Sequence, residues 1–240
     1  MTAPMLADSG RDDAVSHDPA GDDARDDGAL SLAEEVYLVL HYDPVSGALL
    51  RNGKVNGSEA QALSAAKLVD LVDAGAIALD RPRRSTSHSL AVDGPAPLNP
   101  VLAEALAVVA AQRKQRSLGW GLANLGATAP IVENLVLLGM VADERRPEAP
   151  LTATGLAVLA GARAALDGAV LDGRDDVADR VMLVAAVISA AKVWRNVYSG
   201  RERSEREAIA RALTRFTRAA TSAGDRARVV ALLDAEAVAP

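Results

Sequence analysis

The sequence predicts a mainly α-helical fold, one helical domain with minor β-hairpins, and three observations predict it. Apolar residues recur at helical spacing behind recognisable cap residues along most of the chain. A helix-glycine-strand unit occurs twice, as LVDAGAI at 71–77 and as LVLLGMV at 135–141, which reads as an internal pseudo-repeat. The run from Val181 to Ala191 is apolar at every position but Ser189. Eleven such residues are too few to span a bilayer and are apolar all round, as in a helix at the middle of a core.

Each element can be justified in turn. Ser31 followed by Glu34 is a capping box, so a helix is expected over Leu32 to Leu40, with Val36, Val39 and Leu40 on one face. Asp43-Pro44 ends it, because the residue before proline is pushed out of the α region. Ala48-Leu49-Leu50, between glycines, reads as a short hairpin strand. Ser58 with Gln61 is a second capping box, followed by a stripe of Leu63, Leu68, Val69, Leu71 and Val72. Gly75 suits the position after a helix, where a left-handed backbone is wanted. A strand is expected over Ala76 to Leu79, ending by Pro82, then an exposed basic turn at Arg81, Arg83 and Arg84, and another short strand at Leu90-Ala91-Val92.

Asn99-Pro100 opens the next helix, asparagine as N-cap and proline at the first turn. Leu102, Leu106, Val109 and Ala110 share its face, and Arg113, Lys114 and Arg116 are expected at its carbonyl end, where cations suit the helix dipole. Gly119 and Gly121 read as a tight turn. Pro130 starts a helix with Ile131, Leu135, Val136 and Leu138 facing one way and Gly139 ending it, with Met140-Val141 entering a strand. Asp143 to Pro150 is turn-like; Leu156 to Leu166 is an Ala-rich helix ended at Gly168. The central helix is expected over 181–198, with Trp194 and Tyr198 as packing partners four residues apart. An amphipathic, arginine-studded helix over Arg201 to Ala220 and a short one over Arg226 to Ala235 close the chain.

The composition narrows the function classes. Hydrophobic residues make up 50% of 240 residues, enough to bury a large core, with only 2% aromatic, so Leu, Val, Ile and Ala must fill it. No cysteine is present, which excludes disulfides and thiolate metal sites. The charge is uneven. Residues 1–28 hold eight Asp against Arg11 and Arg25, so the remaining 24 acidic and 24 basic residues balance. Residues 1–28 are expected to be a disordered acidic tail. It is either a solubilising arm or one that competes with anions for a basic site. Residues 29–240 form the helical domain. No leader pattern and no run of about 18 apolar residues stands out, so a cytoplasmic protein without a membrane span is expected.

No catalytic or metal pattern appears. His17, His41 and His88 are scattered without zinc-ligand spacing, no G-x-S-x-G occurs, and Gly53-Lys54 is followed by Val55 rather than a phosphate-loop hydroxyl. Glu34 and Glu35 are first-turn acids that the helix dipole explains. The expectation is therefore no enzyme, no cofactor and no metal.

The stretches LSLAEEVYLVL, DPVSGAL and AKLVDLVDAGAIALD, in that order, resemble the opening of the Golgi phosphoprotein 3 family, also called GPP34, and the order of later elements agrees to the C-terminus. The resemblance implies a mostly helical fold and a non-enzymatic, peripheral membrane adaptor. Eukaryotic members bind phosphatidylinositol 4-phosphate through a Trp and an Arg near the second helix and two Arg on a later one. Anchored on Gly75 and Gly139, those positions fall at Val55, Ser64, Leu125 and Thr128. None matches, so none is carried over. The family's apolar hairpin falls on the charged stretch at 143–150.

The candidate headgroup-binding residues are therefore read from the chain itself: Arg113, Lys114 and Arg116, with Trp120 beside them as an interfacial anchor. The competing reading makes the cations a helix end and Trp120 core. The arginines from 201 to 218 could also meet an anionic surface, although Glu202, Glu205 and Glu207 point to a solvated face with i,i+4 pairing. The expected partner is an anionic phospholipid surface. The alternative function is a winged-helix transcriptional regulator, suggested by the recurring helix-helix-strand units. The neutral body and the lack of a helix bearing base-reading side chains argue against nucleic acid.

Overall fold

The first helix, α1 (Leu32–His41), begins with the expected capping box: the Ser31 amide donates to the Glu34 carboxylate at 2.7 Å, and the Ser31 hydroxyl accepts from the Glu34 amide. The computed structural model describes residues 30–80, 88–142, 149–174, 176–221 and 224–237. Among these there are ten α-helices and one three-stranded antiparallel sheet, so the chain is mainly α with a minor hairpin. The tail, the basic turn at 81–87 and most of 143–150 lie outside the described residues.

Where a hairpin strand is expected at 48–50, there is a single bridge between Tyr42 and Leu49, then one 3-10 turn at Leu50–Gly53. Helix α2 (Gly57–Asp73) uses the capping box of Asn56 and Glu59 rather than that of Ser58 and Gln61. The upstream box prevails because the Glu59 carboxylate is also held by Arg51 at 3.2 Å and by the Asn196 amide at 2.8 Å. Gly75 closes the helix at φ +67°, with its amide on Val72 O and that of Ala76 on Leu71 O. Gly139 repeats this closure at φ +67°, on Val136 O and Leu135 O. The two helix ends are thus alike. Among the described residues the first continues into a sheet: β1 (Ile77–Asp80) pairs with β2 (Ser89–Val92), Ile77 opposite Val92. The second yields one bridge, Val141 to Leu151.

Asn99 caps α3 (Pro100–Ala110), its side chain accepting from the Val101 and Leu102 amides. Two-residue β3 (Arg116–Ser117) pairs with β2 and leads into α4 (Leu118–Asn124). The tight turn expected at Gly119 and Gly121 is instead helix. The Ser117 hydroxyl caps it, and Gly121 leaves room for Leu90, whose Cδ1 would lie 2.9 Å from a Cβ placed there. Next come α5 (Ala129–Leu137) and α6 (Ala153–Val170), the latter running through Gly168 instead of ending there.

The centre is α7 (Asp179–Ala190), packed against α1, α2, α6, α9 and α10, with Val187 fully buried and Val184 6% exposed. It does not reach residue 198. Lys192 adopts φ +60°, and Val193 bonds back to Ile188 O, which ends the helix before the short α8 (Trp194–Val197). Trp194 and Tyr198 therefore part: Tyr198 is buried under the Arg163 guanidinium, 4.6 Å from its ring centre, while Trp194 stays half-buried. Helices α9 (Arg203–Ala220) and α10 (Gly224–Glu236) complete the fold.

By length and composition alone α6 could cross a bilayer, as the core helices of many globular proteins could; a third of it is buried within the fold. It carries Arg163 and Asp167, paired at 3.1 Å, with Arg163 also donating to Val197 O at 2.9 Å.

Candidate functional site

The loop between α3 and β3 displays the predicted cations. It exists because α3 stops at Ala110, with no basic residue in its last turn. Arg113, Lys114 and Arg116 therefore do not complement the dipole of α3 as expected; they stand beyond it, all exposed. Among the described residues none of the three lies within ion-pair distance of a carboxylate. The loop is held by its neighbours instead. Gln115 donates to the Asp80 carboxylate at 3.3 Å, and the Arg116 Nε donates to the Gln112 side chain at 3.2 Å. The Arg116 guanidinium carbon lies 5.5 Å from the centre of the Trp120 ring, within cation–π range. Trp120 rests partly on the core and is partly open. The structure thus brings Arg116 and Trp120 together in one patch, on the same loop as Arg113 and Lys114.

A second basic surface lies on α9. Its inner face, Ile209, Ala212, Leu213, Phe216 and Ala220, is buried. Arg203, Arg206, Arg211, Arg215 and Arg218 are all exposed. The expected i,i+4 pairing is present at its start: Arg201 with Glu205 at 3.5 Å and Arg203 with Glu207 at 3.2 Å. From Ala208 to Ala220 the helix carries three arginines and no acid. A groove of about 320 Å³ at its head is lined by Trp194, Arg195, Arg203, Arg206, Glu207 and Ala210.

The residues that sequence reasoning missed are buried or half-buried. Glu34, read as a dipole-compensating acid, is a hub: it accepts from the Ser31 amide and hydroxyl, from Asn99 at 3.0 Å and from Asn134 at 2.6 Å, tying α1 to α3 and α5. Its neighbour Glu35 pairs with Arg180 at 3.0 Å, and Arg180 also grips Asp70 at 2.9 Å and the Leu30 carbonyl at 2.7 Å. Burial pushes the carboxyls of Glu35 and Asp70 up, against the pull of Arg180. Lys67, fully inside α2, donates to Ala127 O at 2.8 Å; burial pushes its amine down to about 8.

That last contact joins α2 to the loop between α4 and α5. The first half of α2, which holds Ser64, lies directly against the α4–α5 loop, which holds Leu125 and Thr128. Ser64 and Leu125 are buried, and a Cβ on Gly126 would come 2.5 Å from the Ala60 carbonyl oxygen. The seam is packed backbone on backbone, with Lys67 filling it.

The family model described as Golgi phosphoprotein 3 (GPP34) matches residues 32–232. The chain belongs to the GPP34 family. No curated protein matches it significantly. The match begins at the first residue of α1 and ends within α10, so this GPP34 protein carries every described helix within or across the matched span. The glycine-closed helix ends and the Glu34-Glu35 start of this chain are accounted for by packing, since Glu34 and Glu35 hold α1 to its neighbours.

Proposed function

We propose that this GPP34 protein is a non-enzymatic, cytoplasmic, peripheral membrane-binding adaptor that meets anionic phospholipid through Arg113, Lys114, Arg116 and Trp120. The observation that carries the reading is the α3–β3 loop itself. Three cations stand within four residues, exposed and without a carboxylate partner among the described residues, beside a half-open tryptophan. A cation near an anionic membrane contributes about 1 kcal/mol, screened beyond a Debye length of roughly 10 Å at 0.1 M salt. Tryptophan is suited to the interface, with its ring at headgroup level. Selectivity for one phosphoinositide is not part of the proposal, because the aligned Val55, Ser64, Leu125 and Thr128 supply no headgroup-binding Trp or Arg.

The test is co-sedimentation with neutral, anionic and phosphatidylinositol 4-phosphate vesicles at two salt concentrations. Binding to both anionic compositions at low salt, weakened by salt, is expected. R113S/K114S/R116S should lower partitioning by roughly 100-fold and leave the circular dichroism spectrum unchanged. Equal binding to all vesicles, or none at low salt, sinks the proposal, and unaltered binding of the triple variant moves the surface to α9. A nucleic-acid mobility shift run alongside decides the winged-helix alternative, which predicts binding there and none to vesicles.

A further inference from the structure

We infer that the arginine face of α9 is a docking surface for the chain's own acidic N-terminal segment. The two are complementary in charge and in length. Residues 1–28 carry eight Asp and two Arg, with Asp22, Asp23, Asp26 and Asp27 in one run. The rest of the chain is balanced overall, so its positive charge is a matter of placement, and α9 is where it gathers: five arginines against Glu205 and Glu207. Arg211, Arg215 and Arg218 recur at i, i+4 and i+7, which puts them on one stripe, with Arg203 two turns earlier. At 1.5 Å per residue that stripe runs about 22 Å from Arg203 to Arg218. The acidic run from 22 to 27 covers about 17 Å when extended. The loop of Arg113, Lys114 and Arg116 is too short to meet it along its length.

The tether reaches. The segment joins the fold at Leu30, whose carbonyl is fixed by Arg180 in the first turn of α7, and α7 packs along α9. Twenty-nine residues span about 30 Å as a random coil and about 95 Å at full extension. Tethering at that range gives an effective concentration near the millimolar scale, enough for weak, salt-sensitive docking. The grooves beside the stripe, one lined by Trp194, Arg195 and Arg206 and another by Arg211, Thr214 and Arg218, give aspartates flanks to enter as well as a flat face. This inference is independent of the lipid-binding proposal, which uses a different loop.

The absence of cysteine allows one nitroxide to be placed in the full chain at S16C. At low salt, the label should broaden amide signals of Arg203 to Ala220 and spare those of Arg113 to Arg116. The broadening should fall at least threefold in about 0.5 M salt, in D22N/D23N/D26N/D27N and in R211S/R218S. Broadening confined to the 113–116 loop, absent from α9, or unchanged in these variants would overturn the inference. So would broadening that appears only when labelled and isotope-enriched copies are mixed, because the segment would then be reaching a second copy. Protection of α9 by anionic vesicles without any broadening there would assign the face to lipid instead.

Discussion

Arg180→Met should lower folding stability by about 3–5 kcal/mol at pH 7, the cost of leaving a buried carboxylate without its partner. For a domain of this size that is a fall in melting temperature of roughly 6–20 °C. The geometry makes the case. Asp70 is 10% exposed at its side chain, and the Arg180 fork spans Asp70, Glu35 and the Leu30 carbonyl. Asp70 also accepts from the Leu32 amide at 2.5 Å, so the network fixes the start of α1 to α2 and α7 at once. The pH dependence has a definite sign. Burial holds the Asp70 and Glu35 carboxyls above their ordinary range in the folded state. The native state therefore binds more protons than the unfolded one between about pH 4 and those raised values, and stability falls as pH rises through that window. Removing Arg180 takes away the attraction that keeps both carboxyls from rising further, so the window widens upward. R180M should regain stability on acidification from pH 7 towards 5, and R180M/D70N, which keeps an acceptor for Leu32, should recover part of the loss without acid. Urea midpoints from pH 4.5 to 8 decide it. A loss below about 1 kcal/mol, or one indifferent to pH, would mean the carboxylates find water instead.

How much of this was legible in the sequence depended on range. The cap of α1, the Asn99-Pro100 start of α3 and the glycine closures at 75 and 139 involve groups within five residues of each other, and their signals are local. The same locality misled at α2, where two capping boxes overlap. The deciding contact, Asn196 on Glu59, comes from 137 residues away. A glycine in a sequence signals backbone freedom, so Gly121 reads as a turn-former and Gly168 as a helix end; in the fold Gly121 instead makes room for Leu90, and α6 continues through Gly168. Nor could periodicity show that Lys192 takes a left-handed backbone and splits the 181–198 run. For the candidate site, the cation cluster was visible, while the point at which α3 stops was off by a turn, which changes the cations from a helix cap into a free-standing loop. The Arg180 and Lys67 contacts have no sequence signature, since their partners are set by helix packing.

Lys67→Met should stabilise the protein at neutral pH, by about 2 kcal/mol, although it deletes a hydrogen bond. Lys67 is 2% exposed, and burial pushes its amine down to about 8 despite the pull of Glu104 and Glu34. An unfolded lysine titrates near 10.4. Between those values the unfolded state binds more protons than the native one, so stability rises with pH from about 8 to 10.5. Below that window the native state carries the whole cost of the buried charge, on the order of 3 kcal/mol. Methionine fills similar volume without the charge, and forfeits the bond to Ala127 O, worth about 1 kcal/mol. The two proteins should therefore exchange rank: K67M the more stable at pH 7, wild type the more stable above about pH 10, where its neutral amine still donates to Ala127. Denaturant midpoints of both proteins, taken in steps from pH 7 to 10.5, test this directly. Parallel curves would show that the amine reaches solvent through the α2 to α4–α5 seam. That seam would then be open beside Ser64 and Leu125, and water would enter where the structure shows backbone packed on backbone.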